Sequence, residues 1–353
     1  MEGSQLIYID AVSMITPIGA NASMTHAAAR AGISAYRESS ILGTSFEPLK
    51  IAPVPIPDSS LNIPDIPPAR PLYQQSRSRR ILGLSIAALH DVLAYCPNEP
   101  LPLFFAAPEP APLAAIDGHF IQLLSQSAPS RINVKSSRLF ATGRPGGLQA
   151  LQLAFHYFSQ TGASHVLIGG ADSLIDLAAM GFWDSEDRVL SSGAADGFVP
   201  GEGAAFLLVS PSASQRSLGA VHLPGVASEP GHRYSDEPYR GDGMAEAFRQ
   251  ALQHYSGAPI TTVYSSINGE SLGAKEHGVA FTRNHKHLNP SLTVQHPADC
   301  FGDLGAAVGP TLIGLAIGGI RSGNIKGPAM VCCAADHETR AACTVTALTT
   351  VVN

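Results

Sequence analysis

The sequence predicts an α/β protein whose central strands are covered on both faces. Of its 353 residues, 45% are hydrophobic and only 14% are charged, which suits a sheet buried between layers of helices. Segments typical of buried strands alternate with segments typical of helices along the chain. A third observation is that glycines flank Glu202 and the chain then continues as the unbroken apolar run 204–209, which is typical of a strand buried on both faces.

The first half of the chain begins with a strand at 6–14 and an alanine-rich helix at 23–31. Two proline-rich stretches, 48–71 and 97–112, are predicted to be surface loops or extended arms, because proline lacks an N–H donor and has a fixed φ. The remaining predicted elements are a buried helix at 81–92, a strand at 101–106, a helix at 148–159, a strand at 165–168 and a strand at 204–210.

The second half repeats this order of elements without a visible repeat of sequence. It is predicted to contain a helix at 244–254, a strand at 262–267, a helix at 310–320, and two strands at 329–335 and 341–351 joined by the charged turn 336–340. We expect two related halves, 1–214 and 215–353, with the proline-rich stretches as insertions in the first.

Composition excludes several classes of partner. The net charge is −6 and the 22 basic residues form no dense run, so we expect neither nucleic acid nor anionic membrane as a partner. The most apolar stretch, 312–320, is short and contains three glycines, so no membrane span is expected. Five cysteines, with Cys332 and Cys333 adjacent, argue against a disulfide framework and favour a reducing, cytoplasmic compartment. We predict no cofactor.

Three motifs spread over the chain carry a family resemblance. They are the opening strand and loop 9–19, the segment 168–176 followed by 180–182, and the Gly-Glu-Gly turn 201–203. Together they resemble the β-ketoacyl synthases of the thiolase superfamily. The resemblance implies a thiolase-like fold, in which two related α/β halves form stacked αβαβα layers around a shared layer of buried helices.

The family's nucleophile is missing from the matching segment. β-Ketoacyl synthases place a cysteine at the N-terminus of a buried helix, where the helix dipole lowers the thiol pKa. Aligning 148–151 with the start of that helix puts Arg144 at the cysteine position. A guanidinium cannot form a thioester. Thr142 is the nearby hydroxyl, and it is either a nucleophile lacking an obvious base or a cap or loop hydroxyl.

Both histidines that the resemblance implies are also replaced. Asn268 stands at the first position, where it can donate a hydrogen bond but cannot carry a proton. At the second position the chain has Gly302 or Asp303, and His296 lies near the place of the family's lysine. The family's glycine-rich gating turn is replaced by the charged turn 336–340.

Two rival sites and one pocket residue have alternative interpretations. Cys300, His296 and Asp299 or Asp303 combine a thiol, a base and an acid in one loop, but a buried structural cysteine would look the same. Four histidines could be read as ligands of a zinc ion, but their spacing favours solvated loop positions. These histidines are His277, His285, His287 and His296. Phe198 matches a family phenylalanine that borders the acyl site, although an ordinary core role fits equally well.

A guanidinium at the N-terminus of a buried helix needs a compensating anion. Asp303 and Glu270 lie in the two loops that the resemblance brings to the same place as Arg144. We therefore expect Arg144 to pair with one of them and to fill the former catalytic cavity.

These observations predict a catalytically degenerate β-ketoacyl synthase-like protein that acts as a scaffold, binding or accessory subunit. We expect a homodimer formed through 131–141, where Ile132, Val134 and Leu139 are available. Two alternatives stay open. One is an acyltransferase or hydrolase with a remodelled site, and the other is a partner of an active ketosynthase, similar to a chain length factor, with an acyl carrier protein as a possible contact. The segment 296–303 also resembles thiolase-like accessory proteins of bacterial type VI secretion loci.

Overall fold

Strands and helices alternate along the chain as the sequence predicts. The computed structural model describes residues 6–68, 70–191 and 195–348. The strands in these ranges are β1 (Leu6–Ile15), β2 (Arg37–Leu42), β3 (Pro48–Ile51), β4 (Leu103–Ala106), β5 (Arg138–Phe140), β6 (Val166–Ser173), β7 (Glu202–Ser210), β8 (Gly219–His222), β9 (Gly225–Ser228), β10 (Ile260–Ser265), β11 (Leu288–Gln295), β12 (Ala329–Ala334) and β13 (Thr339–Thr346). The helices are α1 (Ala22–Arg30), α2 (Ser76–Leu93), α3 (Phe120–Gln126), α4 (Gly146–Thr161), α5 (Leu177–Ser185), α6 (Asp242–Gln253), α7 (Ser271–Asn284), α8 (Ala298–Phe301) and α9 (Val308–Arg321).

The strands form two sets with the same arrangement. The first set has the order β5-β4-β6-β7-β1 and the second has the order β11-β10-β12-β13-β9. In each set the first three strands are parallel and the remaining two are antiparallel. β8 pairs with both β1 and β13 and thereby links the two sets through hydrogen bonds. The predicted pair of related halves is thus confirmed, whereas the boundary after residue 214 stays a prediction.

Helices complete the five layers. α4 and α9 lie in the middle and each contacts strands of both sets, and their apolar residues share one core with β6 and β12. α2 covers the outer face of the first set, and α6 covers that of the second. The layers follow from sequence, because α9 is apolar nearly all round, whereas α6 buries only one face.

The glycines flanking Glu202 allow close backbone approach, as predicted. A Cβ on Gly201 would lie 2.5 Å from the carbonyl oxygen of Phe301, and one on Gly203 would lie 2.8 Å from that of Ile15. Glu202 itself is buried, and its carboxylate accepts hydrogen bonds from Arg80 at 3.0 Å and from the Val54 N–H at 2.9 Å. The turn therefore ties the first proline-rich stretch to the central strands.

That proline-rich stretch departs from the prediction of a loop without regular structure. β3 forms a two-stranded sheet with β2, and Leu49 and Ile51 are buried. Pro48 is the first residue of β3, a position where the missing N–H disrupts no ladder. The prediction was wrong because proline is disfavoured inside a strand but is tolerated as its first residue.

The last strand ends earlier than predicted and several elements were not foreseen. β13 ends at Thr346, and the predicted positions 349–351 lie outside the described residues. The sequence analysis missed the helices α3, α5, α7 and α8 and the strands β2, β3, β8, β9 and β11, most of them short or polar. None of the described helices is long and apolar enough to cross a membrane.

All five cysteines are free thiols, as the sequence predicts. Cys332 and Cys333 lie on opposite faces of β12 and belong to two different apolar cores.

Candidate functional site

Four loops converge where the two central helices begin. They are the loop before α4 with Arg144, the loop after β10 with Asn268 and Glu270, the loop after α8 with Asp303, and the turn between β12 and β13 with Asp336. The scaffold thus brings together the three segments that the sequence analysis placed at the site, and it adds the charged turn.

Arg144 forms the expected buried ion pair, and its partner is Asp303. The Arg144 Nε atom lies 2.9 Å from Asp303 Oδ2 and 3.1 Å from Oδ1, and Nη2 donates to the same carboxylate. The side chain of Asp303 is 1% exposed and that of Arg144 is 11% exposed. The other candidate, Glu270, pairs with different arginines.

Asp336 is a second acid on Arg144 and joins it to another arginine. Its Oδ1 atom lies 3.1 Å from Arg144 Nη1, and its Oδ2 atom lies 3.0 Å from Arg188 Nη1. Sequence analysis identified the charged turn but gave Asp336 no role. Arg188 was missed altogether, because nothing in its local sequence distinguishes it from a surface arginine.

Glu270 completes the group. Arg188 donates to both of its oxygens, at 2.8 and 3.0 Å, and Arg233 donates at 2.7 Å. The Asn268 amide donates to Asp303 at 2.9 Å and to Glu270 at 3.1 Å, and so connects the two carboxylates. We call these residues the guanidinium–carboxylate cluster; its members are Arg144, Arg188, Arg233, Asn268, Glu270, Asp303 and Asp336.

The cluster is electrically balanced, with three guanidinium groups and three carboxylates. Burial alone would lower the pKa of Arg144, but Asp303 and Asp336 outweigh it and hold that pKa well above its usual range. Burial likewise opposes ionisation of Asp336, yet Arg144 and Arg188 keep its pKa well below the usual range. Asp303 also accepts the Gly305 N–H at 2.9 Å, just before α9, where a carboxylate is favoured by the helix dipole.

Little space remains beside the cluster. The adjoining cavity has a volume of about 50 Å³ and is lined in part by Arg144, Asp336, Glu109 and Phe198. Small-molecule sites typically have volumes of about 300–1,000 Å³, so this cavity has room for a few water molecules only. Phe198 is buried with its ring centroid 5.6 Å from that of Trp183. It therefore fits both interpretations, since it is a core residue that also lines the cavity.

Solved structures with a similar architecture are ketosynthases and their partners. The ketosynthase from module 6 of the bacillaene synthase of Bacillus subtilis aligns with 98% of this chain and 72% of its own, with a TM-score of 0.76 and 15% identity. The ishigamide ketosynthase/chain length factor aligns with 97% of this chain and 99% of its own, with a TM-score of 0.69 and 19% identity. The structure of the ketosynthase ApeO in complex with its chain length factor ApeC, from Xenorhabdus doucetiae, aligns over 97% of this chain and 98% of the matched chain. The TM-score is 0.70 and the sequence identity is 15%.

The chain has the thiolase-like ketosynthase fold. No protein-family model matches the sequence, and no curated protein does. At 15–19% identity, these structures establish the fold of the chain and leave its activity to be argued from its own residues.

Two further positions at the site, Thr142 and Gly302, make contacts within the chain. The Thr142 hydroxyl donates to the side chain of Gln149, which favours the loop-hydroxyl interpretation over a nucleophile. Gly302 has φ +72° and lies where a Cβ would be 2.6 Å from the Val199 carbonyl oxygen. Of the two residues offered for the second histidine position, Asp303 is therefore the one whose side chain enters the site.

The rival thiol site is not assembled as a nucleophile and base. The Cys300 thiol points towards the carbonyl oxygen of Ala29, 3.9 Å away. Burial and, to a smaller extent, the nearby Asp299 carboxylate raise the pKa of the thiol. Cys300, His296 and Asp299 line one pocket. Among the described residues, however, no side-chain hydrogen bond joins any two of these three. A nucleophilic thiol needs a lowered pKa, so the arrangement favours a structural cysteine.

The histidine group requires a correction. His277 was expected in a solvated loop, but it lies in α7 and is 2% exposed. Its Nδ1 atom donates to the Gly273 carbonyl oxygen at 2.8 Å and its Nε2 atom lies 2.9 Å from the Ser265 hydroxyl, while burial lowers its pKa to about 4. His285 and His287 are exposed, as expected. Within the described ranges 6–68, 70–191 and 195–348, no three or more His, Cys, Asp or Glu side chains lie close enough together to hold a metal ion.

The Asp303→Asn substitution should destabilise the protein by about 3–5 kcal/mol, because removing one partner of a buried pair strands the other charge. The matched control is Asp242→Asn, since Asp242 pairs with Arg283 while both side chains are about half exposed. Exposed pairs contribute less than about 1 kcal/mol. Urea unfolding at neutral pH measures both values. Equal losses in the two variants would contradict the assignment of a buried ion pair.

The Asp336→Asn substitution should change how stability depends on pH. The folded-state pKa of Asp336 lies below its unfolded value of about 3.9. Its ionised form therefore contributes stability above about pH 4, and this contribution is lost as the pH falls further. The variant should be less stable than the wild type at pH 7, and the difference should narrow between pH 5 and pH 2. Urea unfolding across this range checks it; a constant difference would refute the role.

Proposed function

We propose that the chain is a catalytically inactive ketosynthase-like protein that works through protein contacts, as a scaffold or accessory subunit. The observation that carries this proposal is the guanidinium–carboxylate cluster, which occupies the place where the family resemblance puts a cysteine and two histidines.

The chemistry of the cluster argues against condensation. Condensation begins with a covalent thioester, and Arg144 offers no nucleophilic atom and cannot lose its proton at any ordinary pH. Asn268 can donate a hydrogen bond but cannot exchange a proton with a substrate. The carboxylates of Asp303 and Asp336 are engaged by guanidinium groups. The neighbouring cavity of about 50 Å³ is also too small for an acyl chain.

A second candidate function is that of a partner to an active ketosynthase. Its support is the likeness to the ketosynthase ApeO that was solved with its chain length factor, which extends over 97% of this chain and 98% of that one. In such a pair one subunit can keep the fold and the contact surface without performing the chemistry. Under this proposal, this chain would supply its surface to a different, catalytically complete subunit or to an acyl carrier protein.

The surface proposed for pairing is the edge of the first strand set. β5 pairs with β4 on one side, and among the described strands it has no neighbour on the other, so it can accept a strand from a second chain. The contacts differ from those expected. Ile132 is buried within its own protomer, leaving the half-buried Leu139 and the 40% exposed Val134.

The biological setting is part of the proposal. The segment 296–303 resembles accessory proteins of type VI secretion loci, and the genes encoded beside this chain would test that link. Secretion components would support the accessory role, whereas an acyl carrier protein and an active synthase would support the ketosynthase-partner role. Retained acyltransferase or hydrolase activity is the remaining alternative, and the acylation experiment below tests it.

The protein should form no acyl-enzyme, because no activated nucleophile lies at the site. Incubation with an acyl-coenzyme A thioester followed by intact-mass spectrometry should show an unmodified chain. An active ketosynthase treated in parallel is the positive control, and the Cys300→Ala variant separates acylation of that thiol from other labelling. A stoichiometric adduct in the wild type that disappears in Cys300→Ala would instead establish the relocated site.

The purified chain should be a homodimer. Light scattering at micromolar concentration should give twice the 36.8 kDa of one chain. Replacing Leu139 with Arg at the β5 edge should shift the mass to that of one chain, because an unpaired charge would be buried in the contact. The exposed Leu177, on α5, provides the matched Leu→Arg control. A wild-type monomer would favour pairing with a different chain.

A further inference from the structure

A larger cavity lies between α1, β10, β11, α8 and α9. Its volume is about 550 Å³, and it shares no lining residue with the small cavity beside Arg144. Its volume falls within the range of about 300–1,000 Å³ that is typical of small-molecule sites. Cys300, His296 and Asp299, the residues of the rival thiol site, also line this cavity, but the proposed scaffold or accessory role does not use it.

Two polar atoms in the wall have no hydrogen-bond partner among the described residues: the buried Nδ1 atom of His296 and the hydroxyl of Tyr264, a residue that is 9% exposed. The hydroxyl lies 3.2 Å from the point that a Cβ on Gly319 would occupy, so the glycine leaves open the space in front of it. Burial raises the pKa of Tyr264 to about 12, which keeps the hydroxyl protonated and able to donate.

The cation in the lining lies at the same end of the cavity. Arg30 makes a long contact of 3.5 Å with the Asn324 side chain, and none of the described carboxylates pairs with it. The Asn324 N–H donates to the carbonyl oxygen of Gly319 at 3.0 Å, and Gly319 is the residue beside the Tyr264 hydroxyl. Arg30 and Tyr264 therefore line neighbouring parts of the same wall, connected through Asn324 and Gly319.

The rest of the wall is both polar and apolar. Ala29, Val294, Leu315 and Ile325 supply apolar surface. Burial and, to a smaller extent, the positive charge of Arg30 lower the pKa of His26, so this lining histidine is neutral near pH 7. The carboxylate in the lining, Asp299, is exposed and lies beside Cys300.

We propose that this pocket binds a small organic monocarboxylate with a compact apolar body. Arg30 pairs with the carboxylate, the Tyr264 hydroxyl donates to it, and the body lies against Leu315 and Ile325. One guanidinium matches one negative charge, and the apolar wall disfavours a polyanion such as a free phosphate. The site does not depend on the proposed function, because it would bind whether or not the chain catalyses a reaction.

The test uses three probes that share one apolar body: hydrocinnamate, its neutral amide and the cationic phenylpropylamine. Isothermal titration with the full chain should show the carboxylate binding about tenfold more tightly than either analogue, the ratio expected when one charge-assisted contact is lost. Tyr264→Phe and Arg30→Gln should each weaken carboxylate binding by about tenfold for the same reason. Tyr264→Phe removes only an unpartnered oxygen and Arg30 is exposed, so both variants should fold.

Matched controls are Tyr157→Phe and Arg321→Gln, which make the same changes outside the pocket and should leave binding unchanged. Equal affinity for all three probes would overturn the proposal. So would unchanged carboxylate binding in both pocket variants, or no carboxylate binding at millimolar concentration. Thermal unfolding of every variant, compared with the wild type, separates lost binding from lost structure.

Discussion

Charge balance in a closed space governs the centre of this molecule. Three guanidinium groups and three carboxylates face one another where the two central helices begin, and Asn268 bridges two of the acids. A buried guanidinium cannot become neutral, so each arginine requires an acid within reach. Once Arg144 occupies its position before α4, a carboxylate at Asp303 becomes a structural requirement.

The scaffold makes this balance possible. α4 and α9 lie between the two strand sets and begin close together, and the loops from β10, α8 and the β12–β13 turn meet the same point. In an active ketosynthase such a convergence would hold a nucleophile and its helpers. Here it holds long charged side chains in fixed positions, so the geometry suited to a reactive centre becomes a rigid contact between the two halves.

How far the sequence predicts this arrangement differs between residues. An ion pair of Arg144 with Asp303 or Glu270 was predictable, because the family motifs place all three residues and an unpaired buried guanidinium is excluded; the choice of Asp303 required the structure. Arg188 and Arg233 were not predictable, because their partners lie far away in sequence and their local segments resemble loops. His277 was misplaced for a related reason: α7 has little apolar periodicity, and its buried face contains Glu276 and His277. The alternation of strands and helices was predictable from local chemistry. The thiolase-like arrangement was predicted from the family motifs, because the same elements would also permit other α/β folds.

The bridging role of Asp336 bears on how such a centre could change by mutation. Arg144→Cys alone would remove the guanidinium that Asp303 and Asp336 share, and Asp303→His alone would leave Arg144 paired with Asp336, which it shares with Arg188. Either substitution therefore unbalances the buried charge. A change at one position of the cluster requires compensating changes at others, so its members are constrained as a group rather than one by one.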